Sequence, residues 1–100
     1  MYAVIFKAEI GVLDEAYAKM AVQMRELAIN KYGCTDFMAV TEGTQEIAIS
    51  YWENEEQIKL WKQDAKHLVA QELGQSKWYK TYQVQVVKII REYSKKAYVR

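Results

Sequence analysis

From Gln45 to Trp52 the chain reads Gln-Glu-Ile-Ala-Ile-Ser-Tyr-Trp, a run rich in β-branched and aromatic residues that predicts a strand. Gly43-Thr44 precedes it, and before that Asp36 to Glu42 forms a second strand-like run, so the spacing fits an antiparallel hairpin. Directly after Trp52 comes Asn54 with Gln57 three residues later, a capping-box pattern that opens a helix. Ile58, Trp61, Ala65 and Leu68 mark the buried side of that helix, and Gly74 is expected to close the helical region.

Working outward, Tyr2 to Ile10 alternates, with Tyr2, Val4, Phe6, Ala8 and Ile10 on one face and Lys7 and Glu9 on the other, as in a half-buried strand. After Gly11, the residues Leu13, Tyr17, Met20, Met24 and Leu27 recur at helical spacing, and Gly33 is a natural stop. Tyr82 to Tyr93 reads as a long final strand. The order β-α-β-β-α-β is the ferredoxin-like split βαβ arrangement of an α+β domain, a four-stranded antiparallel sheet with helices on one face. Residues 1–93 are thus expected to form a single domain, and Ser94 to Arg100 a charged, disordered tail.

A chain of 100 residues can bury roughly 65% of the surface its unfolded form exposes, enough for one core without disulfide or metal. The hydrophobic share of 51% with 27% charged residues is that of a globular protein. Fourteen basic and thirteen acidic side chains leave a formal charge of +1, which gives no electrostatic case for nucleic acid or an anionic membrane. No apolar run approaches the ~20 residues that span a bilayer, and the N-terminus lacks the pattern of a secretion signal, so a cytoplasmic location is expected. Cys34 is the only cysteine, which excludes an internal disulfide and a cysteine cluster for zinc.

Helices can cover only one face of such a sheet, yet apolar residues occupy both. In the last strand Tyr82, Val84, Val86 and Ile90 share one parity, and Val87, Ile89 and Tyr93 the other; Phe37 and Ala39 alternate with Met38 and Val40. An exposed apolar face of that size marks an interface, so a homodimer packed sheet to sheet is expected. The competing explanation is a bulge that changes the phase of the last strand.

Taken together, Ile47-Ala48-Ile49-Ser50-Tyr51-Trp52, Ile58, Trp61, His67, Ala70-Gln71, Gly74, Trp78-Tyr79, Tyr82 and Val86 resemble the antibiotic biosynthesis monooxygenase family. The resemblance follows the element order of essentially the whole chain and is specific from Gln45 to Val86. It implies a dimeric α+β barrel in which each subunit has its own pocket between helices and sheet. Members include oxygenases that oxidise electron-rich aromatic polyketides without metal or flavin, and haem-degrading enzymes. One fold carries many functions, so the activity must be argued from the site.

Carried over residue by residue, the resemblance puts Ala48 and Trp52 where the polyketide-oxidising members have an asparagine and a tryptophan. The indole is kept, but alanine has no donor for an oxyanion or peroxy intermediate. Haem-degrading members place an asparagine near Ala8 and an iron-binding histidine near Gln71; glutamine is a poor axial ligand, which disfavours haem degradation. His67 is the only histidine and the remaining acid-base candidate, or else a packing residue bonded to a carboxylate or carbonyl. Trp52, Trp61, Trp78 and Tyr79 are the candidate pocket residues, although aromatics at helical spacing also build cores. Eight tyrosines supply hydroxyls that could orient a substrate without singling one out. A lone histidine argues against a metal site, and no cofactor is expected. Glu53, Glu55 and Glu56 complement a helix dipole.

Two functions fit this reading. One is cofactor-independent oxidation of a small aromatic or quinol; the other is a non-catalytic dimeric module that binds a small apolar ligand or serves as a stress-related accessory protein.

Overall fold

A computed structural model of the chain describes residues 1–71 and 78–96, the side chains of 66–71 excepted. Its elements are β1 (Tyr2–Ile10), α1 (Glu15–Asn30), β2 (Asp36–Glu42), β3 (Gln45–Trp52), α2 (Glu55–Gln71) and β4 (Tyr79–Lys88). The strands form one antiparallel sheet in the order β2-β3-β1-β4, the ferredoxin-like arrangement expected from the sequence. No helix among the described residues is long and apolar enough to cross a membrane.

Local chemistry explains most of the boundaries. Glu42 pairs with Gln45 across Gly43-Thr44, and Gly43 takes φ +60, a conformation that costs glycine nothing. Asn54 Oδ1 accepts the Gln57 amide at 2.9 Å, while Gln57 Oε1 reaches back to the Glu53 amide at 3.2 Å, so the capping box forms. Asp14 caps α1 by accepting the Tyr17 amide at 2.9 Å. Past the end of α1, Gly33 adopts φ +81, and the Cys34 amide returns to the Ala28 carbonyl.

Two sequence expectations need correction. Leu13 does not join the buried stripe of α1; it precedes the cap and is exposed, whereas Tyr17, Met20 and Ala28 are buried. The last strand spans Tyr79–Lys88 rather than Tyr82–Tyr93, because Lys88 already pairs with Tyr2 at the start of β1. Beyond it Ile89 donates its amide to the Met1 carbonyl, and Ile90 is 87% exposed.

The registers place every residue on a face. Thr41, Glu46, Ala8 and Tyr82 form one rung on the helix side; Ala39, Ala48, Phe6 and Val84 form the next; Phe37, Ser50, Val4 and Val86 the third. Trp52 and Tyr2 follow. Trp52 and Trp61, with rings 5.2 Å apart, centre a core with Val4, Ala28, Cys34 and Ile58. A second core of Tyr17, Met20 and Trp78 lies toward the other end of β1, and Met24 touches both. On the face away from the helices, Met38, Val40, Ile47 and Val87 are exposed, Met38 and Val40 by more than half (54% and 57%).

Candidate functional site

The expected aromatic residues divide between the two cores. Trp52 is fully buried, and its indole N–H donates to Ser50 Oγ at 2.8 Å; that of Trp61 donates to the Met24 carbonyl at 3.0 Å. Both indoles are thus satisfied inside the protein, and Phe37 packs edge-on against Trp61. Trp78 and Tyr79 instead belong to the opposite end of β1, ~26 Å along a strand that rises about 3.3 Å per residue.

There the cap of α1 organises the chemistry. Asp14 Oδ1 accepts both the Tyr17 amide and, at 3.1 Å, the Trp78 indole N–H, tying the start of α1 to the start of β4. The rings of Tyr17 and Trp78 meet edge to face at 5.5 Å. From α1 the Tyr17 hydroxyl crosses to β3 and donates to Glu46 Oε2 at 2.5 Å. Tyr79 stands beside Tyr17 with ring centroids 5.9 Å apart, edge to face. Tyr79 packs edge-on against Phe6 at 5.4 Å, and Phe6 stacks on Tyr82 at 6.1 Å.

Electrostatics follow from this packing. Burial is the first cause that pushes the Tyr17 hydroxyl far above the usual tyrosine range, followed by its bond to Glu46 and by the neighbouring Tyr79. Burial also pushes Tyr79 up to about 12; the neighbouring Tyr17 hydroxyl opposes this and the Glu46 charge adds to it. Both hydroxyls therefore hold their protons throughout the physiological range. Burial likewise raises the Cys34 thiol, whose Sγ–H donates to the Asp36 carbonyl at 3.1 Å, the environment of an unreactive cysteine.

This cluster borders an open part of the helix-side face. Tyr82 is 53% exposed, Val84 and Val86 are exposed beside it, and Ala39 and Ala48 bring only methyl groups to the neighbouring rung. Ala48, at the position the resemblance aligns with an asparagine, therefore contributes space rather than a donor. Ala8 lies between Glu46 and Tyr82 in the ladder, so its small side chain leaves both larger ones room above the sheet. The side chains of His67 and Gln71 lie outside the described residues. Among the described residues no three of His, Cys, Asp and Glu converge to hold a metal ion.

Tyr17, Glu46, Phe6 and Tyr82 were not singled out by the sequence as site residues. Glu46 did carry a signal: it shares the parity of Ala48, Ser50 and Trp52, so it is an acidic side chain on the helix-facing side of its strand.

No protein-family model matches the sequence. The uncharacterised protein YqjZ of Bacillus subtilis (strain 168) is 35% identical over 92 residues, covering 91% of this chain and 81% of YqjZ. SnoaB, a cofactor-independent oxygenase from Streptomyces nogalater, superposes with a TM-score of 0.71 over 91% of this chain and 94% of its own, at 7% identity. A crystal structure of an antibiotic biosynthesis monooxygenase superposes with a TM-score of 0.61 over 91% of this chain and 100% of its own, at 15% identity. The chain belongs to the family of YqjZ and has the fold of the antibiotic biosynthesis monooxygenases.

Proposed function

We propose that the protein is a cytoplasmic homodimer that seats a small, electron-rich aromatic or quinol-type molecule on the helix-side face and promotes its oxidation by dioxygen without a cofactor. The observation that carries this reading is the contiguous set of Phe6, Tyr79 and Tyr82 rings, open to solvent on one side and ending in the Tyr79, Tyr17 and Glu46 groups on the other. Aromatic faces hold a flat ligand by stacking, and fixed polar groups at the end set its orientation. For a substrate with a methylene between aryl rings, both C–H bonds and the O–O bond break. One oxygen becomes the new carbonyl and the other leaves as water with the two hydrogens. The protein contributes orientation and exclusion of water, while the substrate supplies the electrons. The cofactor-independent activity that SnoaB's name states is consistent with this chemistry on a shared fold.

Oxygen uptake with a panel of anthrones and hydroquinones tests the reading. Saturable uptake above the uncatalysed rate is expected, and His67→Ala assays the acid-base role that the sequence suggests for that residue. Saturable binding without uptake for any substrate would replace the enzyme with a ligand-binding module. Absence of both would end the aromatic-site reading.

A further inference from the structure

The chemistry of the helix-side face changes in one direction along β4. At its start stand Tyr79 and the bonded Tyr17 and Glu46 groups; next come the rings of Phe6 and Tyr82; then Val84 and Val86. The order is polar, aromatic, aliphatic. Tyr82, Val84 and Val86 share the helix-side parity, while Thr81, Gln83 and Gln85 face away. A strand with this alternation normally buries its apolar side. Here the burial is incomplete: α1 packs over β2 and α2 over β3, whereas β4 is an edge of the sheet, and Tyr82, Val84 and Val86 are each more than one-third exposed.

On its inner side this strip is walled by Phe6 and Val4, the cross-strand partners of Val84 and Val86. At about 3.3 Å per residue, the distance from Tyr82 to Val86 is roughly 13 Å. The next residue of the same parity is Lys88, where the apolar surface stops. Three side chains in single file expose far less than the roughly 800 Å² per partner that a stable protein interface buries, so the strip fits a small molecule rather than a second chain.

We propose that the site takes a phenol or quinol bearing an unbranched aliphatic chain, its ring on Phe6 and Tyr82 and its chain laid along Val84 and Val86 toward Lys88. The proposal rests on the reading that Phe6, Tyr79 and Tyr82 seat an aromatic molecule, and it narrows that molecule from a compact aromatic to an amphipathic one. A ring alone leaves Val84 and Val86 in water; a chain of several methylenes covers them, and the apolar surface removed from water drives binding. Val84 and Val86 are therefore specificity-determining residues for the chain, not for the ring chemistry.

Amide chemical-shift titration of the full chain with 4-methyl-, 4-propyl- and 4-pentylphenol tests this. A chain lying on an open face buries about half of its surface, so affinity should rise about twofold per methylene, roughly sixteenfold from methyl to pentyl. The shifts should spread from Tyr82 to Val84 and Val86 as the chain lengthens. The double variant Val84→Thr and Val86→Thr keeps the branched shape and strand preference of both positions. It should bind 4-methylphenol as the wild type does, with the gain to pentyl reduced to about fourfold or less. Val40→Thr, on the opposite face, should leave the gain unchanged; an equal loss there would place the chain on that face and overturn the proposal. Binding of 4-methylphenol at Tyr82 with no gain along the series would overturn the strip and leave the aromatic reading standing, as would a gain that survives the double variant. If no homologue binds, or the shifts avoid Tyr79 and Tyr82, the aromatic-site reading fails and this proposal with it.

Discussion

Raising the pH above 10 perturbs the Tyr17 and Tyr79 cluster without changing a residue. In the unfolded chain both tyrosines ionise near the ordinary value of 10.0, whereas in the fold Tyr79 is held to about 12 and Tyr17 is pushed well above the usual range. Below pH 10 both states keep these protons and the stability is complete. Above it the unfolded state releases them first, so it binds fewer protons than the native state and unfolding becomes easier as pH rises. For Tyr79 alone, the difference corresponds to about 2.7 kcal/mol in a dry site. The ring is partly exposed, and solvent screening leaves roughly half of that. Between pH 9 and 11.5 the loss from Tyr79 is therefore about 1 kcal/mol. Urea unfolding followed by tryptophan fluorescence at a series of pH values measures it, with Tyr79→Phe as the comparison. Groups distant from Tyr79 contribute equally in both proteins and cancel in the difference. The wild-type midpoint should fall more steeply than that of Tyr79→Phe, the two curves separating above pH 10. Parallel curves across the range would refute the burial assigned to Tyr79.

Trp52→Phe leaves Ser50 Oγ without its indole donor in a fully buried position and shrinks a ring that packs on Trp61, so a loss of about 2 kcal/mol is expected by urea denaturation, and about 4 for Trp52→Ala. Gly33→Ala combines φ +81 with a methyl group 2.7 Å from Gln57 Nε2, in the side chain that closes the α2 capping box. It should cost about 1.5–2 kcal/mol, more than Gly43→Ala, where φ is +60 but nothing lies within 4 Å and about 1 kcal/mol is expected. The apolar face with Met38 and Val40 predicts a light-scattering mass of twice 11.7 kDa at micromolar concentration, shifted toward the single-chain mass by Val40→Lys; a monomeric wild type would sink the dimer.

The parts of the fold legible in the sequence are those whose causes are local. Asn54 and Gln57 sit within one helical turn of each other, and Gly43-Thr44 lies between the two strands it joins, so neighbouring residues suffice to place them. The end of β4 is not local. Ile89, Ile90 and Tyr93 carry strand-forming side chains, but a ladder stops where its partner does, and β1 begins at Tyr2 opposite Lys88. The start of β4 has a similar origin: Tyr79 pairs with Ile10 after a register shift at Glu9/Ile10, and Trp78 is anchored by Asp14, 64 residues away in sequence.

The candidate site divides along the same line. Trp78 and Tyr79 were visible as an aromatic pair, yet composition alone treats them like Trp52 and Trp61, whose indole N–H groups end on Ser50 and Met24 inside the core. What separates the pairs is the company they keep, and that company is assembled by tertiary contact: Tyr17 and Glu46 are 29 positions apart and on different elements. Tyr17 read as one member of an apolar stripe because its ring does pack there, and its hydroxyl was invisible to the periodicity. Glu46 is the residue that sequence could have flagged. On a strand whose helix-facing parity is otherwise Ala48, Ser50 and Trp52, a carboxylate requires a partner, and the tyrosine of the facing helix is the group that reaches it. Because a carboxylate can only accept, the Tyr17 hydroxyl is the donor, and this one bond ties α1 to β3 beside the aromatic patch of Phe6, Tyr79 and Tyr82.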